Sequence, residues 1–265
     1  MMVFNSSIIA RKELICLGEK KRSRKRLIWF LPLLIIVIAA AAFLIYAQDY
    51  YHADARALSM LESDDQVQVV QTDYGWLFDG PSKEDALIFY PGGKVEETAY
   101  APLLHRLAEE GMDVCLVKMP FRLAVFGINK ASEVMKLYEY DHWSIGGHSL
   151  GGAMAASYAA KNADKFRNLI LLASYSTARL DDALTVLQIY GSEDQVLNRE
   201  SMEKYKGNLP EDTIEYVIPG GNHAQFGSYG PQEGDGTPAF SAQEQEEETV
   251  NIIKESLLDI IWTGD

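Results

Sequence analysis

Gly147, His148, Ser149, Leu150 and Gly151 spell G-x-S-x-G, a spacing that can lift a serine hydroxyl out of a sharp bend between a strand and a helix. A bare serine hydroxyl is a poor nucleophile, so this chemistry needs a base to take its proton and an acceptor to steady that base. Five histidines are available. His52 lies just past an apolar N-terminal run, and His105 sits in a helical pattern. His142 precedes a strand-like run at its unproductive end, and His148 fills the variable position of the bend. His223 follows the last strand-like run, inside the glycine-rich stretch Gly220 to Gly227, and it is the candidate base. Open α/β sheets deliver their reactive groups at the carboxyl ends of strands, where this loop falls. Asp194, after the preceding strand, completes the order serine, acid, histidine; Glu193, Asp181 and Asp182 are rival acceptors.

A fourth part is a pair of backbone N–H groups aimed at the developing oxyanion. Pro91, Gly92, Gly93 and Lys94 come straight after the strand-like Ala86 to Tyr90. Gly93 and Leu150 are the expected donors, with Lys94 the alternative to Gly93. These parts suit attack on an ester or related acyl carbonyl of a small-molecule substrate through a covalent acyl-enzyme. That reaction calls for neither a metal nor an organic cofactor. The five-residue spacing also arises by accident, so its weight depends on the elements around it.

Those elements alternate. Short apolar runs bounded by turn residues interleave with amphipathic stretches, the pattern of an α/β layer fold. Eight strands are expected, at Val67–Gln71, Trp76–Asp79, Ala86–Tyr90, Met112–Val117, Trp143–Gly146, Leu169–Leu172, Thr185–Tyr190 and Thr213–Val217. Helices are expected at Glu97–Glu110, Gly127–Glu139, Leu150–Lys161, Arg199–Lys206 and Gln243–Ile261. The serine thus stands directly between a strand and an alanine-rich helix. Strands such as Asn168–Leu172 are near-continuous apolar runs, as expected when helices cover both faces. Cys115, in one such run, reads as a small buried hydrophobe. The glutamates opening the last helix read as a solvated first turn that suits the helix dipole.

With 265 residues and 48% hydrophobic content, the chain supports one sizeable core. Its net charge of −14 is unevenly spread: residues 1–47 hold eight Lys/Arg and two Asp/Glu, a balance of +6, leaving −20 on the remainder. So acidic a body repels phosphate backbones, which argues against a nucleic-acid partner. Two cysteines make no disulfide framework, and no Cys/His spacing suggests zinc.

The basic head leads into Leu27–Ala47, a run without charge in which thirteen residues are Leu, Ile, Phe or Val. As a helix it rises about 31 Å against a hydrocarbon core of roughly 30 Å. Lys20, Lys21, Arg22, Arg24, Lys25 and Arg26 precede it, and Asp49 and Asp54 follow. By the positive-inside rule, the expected organisation is a cytoplasmic tail (1–26), a single-pass transmembrane helix (27–47), a short helical stalk (48–65) and an extracellular catalytic domain (66–265) anchored in the bilayer. A cleaved signal peptide is the competing reading, disfavoured by the length of the run and its poor small-x-small site.

The assembled motifs resemble those of the α/β-hydrolase superfamily over about residues 66–262, and more narrowly a small bacterial group labelled α/β hydrolase fold-5. The stretches that carry the resemblance are Tyr90–Val95, Gly147–Gly152, Tyr190–Asp194, and Gly221–Gly227 continuing through Gly236. It implies an α/β-hydrolase fold with a mostly parallel sheet of about eight strands, and Ser149, Asp194 and His223 as nucleophile, acid and base. Only about a dozen residues separate Leu172 from Thr185, where larger relatives insert a lid, so no large lid is expected. The expected activity is that of a membrane-anchored serine esterase. An acyltransferase with the same triad, or a non-catalytic binding module on the same fold, are the other readings.

Overall fold

The structure is a computed structural model that describes residues 30–258. The chain divides into two compact units, Met1–Asp49 and Tyr50–Asp265. In the first, helix α1 (Phe30–Gln48) has 19 residues and a mean hydropathy of 2.7, which makes it long and apolar enough to cross a membrane. The expected basic tail, the first residues of the expected span and the end of the last helix lie outside the described residues.

The second unit is built on one eight-stranded sheet: β1 (Gln68–Thr72), β2 (Gly75–Asp79), β3 (Asp85–Tyr90), β4 (Met112–Val117), β5 (His142–His148), β6 (Asn168–Leu172), β7 (Thr185–Gly191) and β8 (Ile214–Ile218). Their spatial order is β1-β2-β4-β3-β5-β6-β7-β8. β1 and β2 pair antiparallel with each other, and β2 antiparallel with β4. From β4 to β8 every pairing is parallel. Alternation along β3 shows why the inner strands are mostly apolar: Leu87 and Phe89 enter one core while Ile88 and Tyr90 enter the other.

Helix α3 (Ala101–Glu109), entered through a 3₁₀ turn at Glu97–Tyr100, and helix α7 (Ala242–Ile253) cover the first of these faces with Leu103, Leu104, Leu107, Val250 and Ile253. Helix α5 (Leu150–Ala159) covers the other with Ala155, Ala156 and Ala159. Cys115 is fully buried there, and burial pushes its thiol up to about 12, so it is the inert hydrophobe its surroundings suggest. Helix α6 (Arg199–Tyr205) follows β7, with Asn198 capping it through Ser201 N–H.

Three expectations need correcting. The helix expected over Gly127–Glu139 shrinks to α4 (Lys130–Val134). Beyond it the tyrosines are pulled elsewhere: Tyr138 bonds to the Tyr74 hydroxyl, and Tyr140 donates to buried Asp113 at 2.7 Å and packs edge-on against Trp143. Of the expected helical stalk, only α2 (Ala55–Ser59) is helical, and from Tyr50 onward the chain belongs to the folded unit. There the Tyr51 N–H donates to Lys94 O at 2.8 Å and the Asp54 N–H to Ser228 O at 2.9 Å. Finally, the glutamate run is not all solvated. Ser241 and Glu244 form a capping box, but Glu246 is fully buried and bonds to Arg56 at 2.7 Å and Ser228 at 2.8 Å.

Candidate active site

The site is assembled where β3, β5, β7 and β8 end. β5 runs into Ser149, whose φ of 53° and ψ of −121° put it in a sparsely populated conformation, and α5 starts at the next residue. Such strain persists only where the surroundings over-determine it. Gly147 and Gly151 show how tight the bend is: a Cβ on Gly147 would lie 2.4 Å from Tyr90 O, and one on Gly151 would lie 2.1 Å from the same oxygen. The bend is held by the Ser149 N–H, which donates to Leu172 O at 2.9 Å, and by the Ser174 hydroxyl, which donates to Ser149 O at 2.8 Å. The serine itself is half-buried.

The loop after β8 carries His223, which is 1% exposed. Its Nδ1 lies 2.9 Å from Asp194 Oδ2. A carboxylate only accepts, so Nδ1 carries the proton and Nε2 is left as the basic nitrogen. Asp194, in the loop after β7, is held in turn: its Oδ1 accepts from Val196 N–H at 2.9 Å and Leu197 N–H at 2.8 Å. The rival acids do not reach the imidazole. Glu193 is exposed and takes the Ser192 hydroxyl, while Asp181 and Asp182 are exposed and Asp182 pairs with Arg179.

His223 Nε2 is buried and makes no hydrogen bond, so it is not bonded to Ser149 Oγ. The contact between elbow and base runs through His148, whose ring centroid is 4.5 Å from that of His223. Apo sites commonly hold such pairs loosely.

On the other side of the elbow, a Cβ on Gly93 would come within 2.9 Å of Leu150 Cδ2, so the two expected oxyanion donors are neighbours. Leu150 is the first residue of α5, and N–H groups in the first turn of a helix have no partner within it. The alternative donor is engaged elsewhere: Lys94, at φ 60°, gives its N–H to Arg122 O at 2.9 Å.

Two residues that sequence reasoning passed over tie these loops together. Fully buried Tyr100 accepts the Gly92 N–H at 3.0 Å, and its hydroxyl lies 2.8 Å from His148 Nδ1. A tyrosine that accepts one bond still has its own proton to give, so it donates to Nδ1 and His148 carries its proton on Nε2. Burial holds His148 well below the usual histidine range, with the neighbouring His223 adding to the effect and the His223 backbone opposing it. The available signal was a histidine, rather than an apolar residue, beside the nucleophile.

The other histidines lie elsewhere. His52 packs on Tyr50 with Glu96 at 3.5 Å. Buried His105 stands between Asp64 and Glu109, and His142 is near Asp85 at 3.7 Å. Of the aromatics after β4, Phe121 and Phe126 pack edge-on against each other and remain 47% and 53% exposed, whereas Phe226 and Tyr229 are buried.

Comparison with solved structures finds the same architecture at low identity. A carboxyl esterase 2 from the fungus Tuber melanosporum is similar with a TM-score of 0.55 and 11% identity, over 79% of this chain and 91% of that one. A monoacylglycerol lipase from Paleococcus ferrophilus is similar with a TM-score of 0.52 and 14% identity, over 72% and 99%. A predicted CIB-like hydrolase from Thermoplasma acidophilum gives 0.52 and 13%, over 71% and 98%. No curated protein sequence matches. Identities this low show the fold alone. A family description, by contrast, matches residues 86–247, from β3 into α7 and so across every loop of the site. The chain belongs to the alpha/beta hydrolase family.

Proposed function

We propose that the protein is a membrane-anchored serine esterase. The observation that carries this reading is the buried Asp194–His223 pair, at 2.9 Å, set against a serine in a strained strand-to-helix bend. In this reading Ser149 Oγ attacks the acyl carbonyl while His223 Nε2 takes its proton. Asp194 keeps the other ring proton on Nδ1 and stabilises the imidazolium. The Gly93 and Leu150 N–H groups receive the oxyanion. His223 then returns the proton to the departing alkoxide, and water, activated by the same imidazole, releases the acid. The order of the reaction needs the hydroxyl and Nε2 to close to hydrogen-bond distance once substrate excludes water. Esterase and lipase relatives of the same fold support an acyl substrate, and the apolar side chains of Leu123 and Leu150 beside Gly93 suit its hydrocarbon part. Helix α1, with the basic residues that precede it in sequence, supports a single crossing with the N-terminus inside and the folded unit outside.

The test is turnover of a graded series of p-nitrophenyl esters by the full-length chain in detergent. Hydrolysis that is lost in Ser149→Ala, with an unchanged melting temperature, is the expected result. Equal turnover by the wild type and Ser149→Ala would refute the assignment.

A further inference from the structure

The segment that follows α1 does more than connect. Tyr51 forms a parallel bridge with Val95: its N–H donates to Lys94 O at 2.8 Å and its carbonyl accepts the Glu96 N–H at 2.8 Å. The Ala53 N–H donates to Glu96 Oε2 at 3.0 Å. Within the same few residues the chain turns to the other loop. The Asp54 N–H donates to Ser228 O at 2.9 Å, and the Arg56 guanidinium binds both the Ser228 hydroxyl and buried Glu246. The Tyr51 hydroxyl accepts the Glu233 N–H at 3.1 Å, and its ring lies 5.5 Å from that of Tyr229. One short segment therefore grips the turn that carries Gly93 and the loop that carries His223.

We propose that Tyr51 to Arg56 form a strap that positions the oxyanion turn against the base loop, making the residues just past the apolar helix working parts of the hydrolytic site. This rests on the serine-esterase reading. The physical basis is Lys94. A non-glycine residue at φ 60° is held there only by what surrounds it, and here both of its peptide groups are clamped. Its N–H is fixed by Arg122 O and its carbonyl by the Tyr51 N–H. Without the Tyr51 donor, Lys94 can relax out of the left-handed region. The freed Lys94–Val95 peptide then turns, the chain before Lys94 shifts with it, and the N–H of the Gly92–Gly93 peptide loses its aim at the oxyanion. Electrostatic stabilisation of that charge acts in the transition state and not on bound ester, so the loss falls on kcat more than on KM. Tyr51, Asp54 and Arg56 are thus positioning residues that never touch the substrate.

The experiment compares Tyr51→Pro with Tyr51→Ala in the full-length chain in detergent. Both remove the ring and hydroxyl, but only proline removes the backbone donor. The strap predicts a kcat about tenfold lower in Tyr51→Pro than in Tyr51→Ala, with KM within about threefold. The inhibition constant of phenylboronic acid, which mimics the tetrahedral state on the serine, should rise in parallel. Equal kcat and equal boronate inhibition in two variants that melt alike would overturn the strap. Should Tyr51→Pro fail to fold, amide exchange of the wild type decides. The Tyr51 and Asp54 amides must exchange as slowly as those of the central strands, and rapid exchange contradicts the proposal. Ser149→Ala run alongside separates the two claims: loss of turnover there with equal Tyr51 variants removes only the strap, whereas retained turnover removes the esterase reading itself.

Discussion

At the level of single side chains, the proposed chemistry depends on which nitrogens hold protons. Asp194 accepts the His223 Nδ1 proton in a hydrogen bond and Tyr100 occupies His148 Nδ1, so of two adjacent imidazoles only His223 presents its Nε2 as an acceptor. Asp194→Asn presents a donor where an acceptor is needed and so favours the wrong His223 tautomer. Its kcat should fall on the order of 10⁴-fold, read from ester turnover in folded protein. Tyr100→Phe strips the partner from a buried Gly92 N–H and from His148 Nδ1, and should cost about 1–3 kcal/mol, measured by thermal or denaturant unfolding. A buried carboxyl far from this chemistry gives a pH signature. Burial raises Asp113 to about 6 from an ordinary 3.8, so the folded state holds its proton more tightly than the unfolded chain does. Its stabilising effect is present below pH 4 and is lost as the pH rises through about 6. Asp113→Asn should remove that fall, so its melting temperature relative to the wild type should rise between pH 4 and pH 7. The placement of Ser149, Asp194 and His223 at the carboxyl end of the sheet was legible because each follows a readable strand. Tyr100 and His148 were not, because a contact between residues 48 apart leaves no trace in local spacing.

Elements set the precision of the site. The bend between β5 and α5 tolerates no side chain at Gly151, whose Cβ would meet two backbone oxygens, Tyr90 O at 2.1 Å and Pro91 O at 2.4 Å. Backbone cannot swing aside as a side chain can, so Gly151→Ala must displace the turn that carries Gly93. Turnover should drop by at least about a hundredfold, the scale set by loss of one oxyanion donor. Activity near the wild-type level would contradict this geometry. The inner strands β3, β4, β6 and β7 were readable because a sheet covered on both faces demands near-continuous apolar runs. The helix over Gly127–Glu139 was misjudged where side-chain hydroxyls overrule periodicity, as Tyr138 and Tyr140 do through Tyr74 and Asp113. Residues 48–65 read as a short helical stalk because the partners of Tyr51 to Arg56 lie in distant loops, which composition cannot reveal.

For the whole molecule, the acidic folded unit follows a basic head and an apolar helix in one chain. If the N-terminus stays inside, Cys16 faces the cytoplasm, while Cys115 is buried in the folded unit and inert. A membrane-impermeant maleimide should therefore leave intact cells unlabelled and label Cys16 only after permeabilisation; labelling of intact cells would reverse the topology. The proposed esterase activity depends on Ser149 being an activated nucleophile. Its most direct measurement is treatment of the folded, full-length protein with a fluorophosphonate, followed by mass spectrometry of the peptide that carries the adduct. A single stoichiometric adduct on Ser149, abolished in His223→Ala, is the predicted result. Folded protein that stays unmodified, or that reacts at another residue, would contradict it.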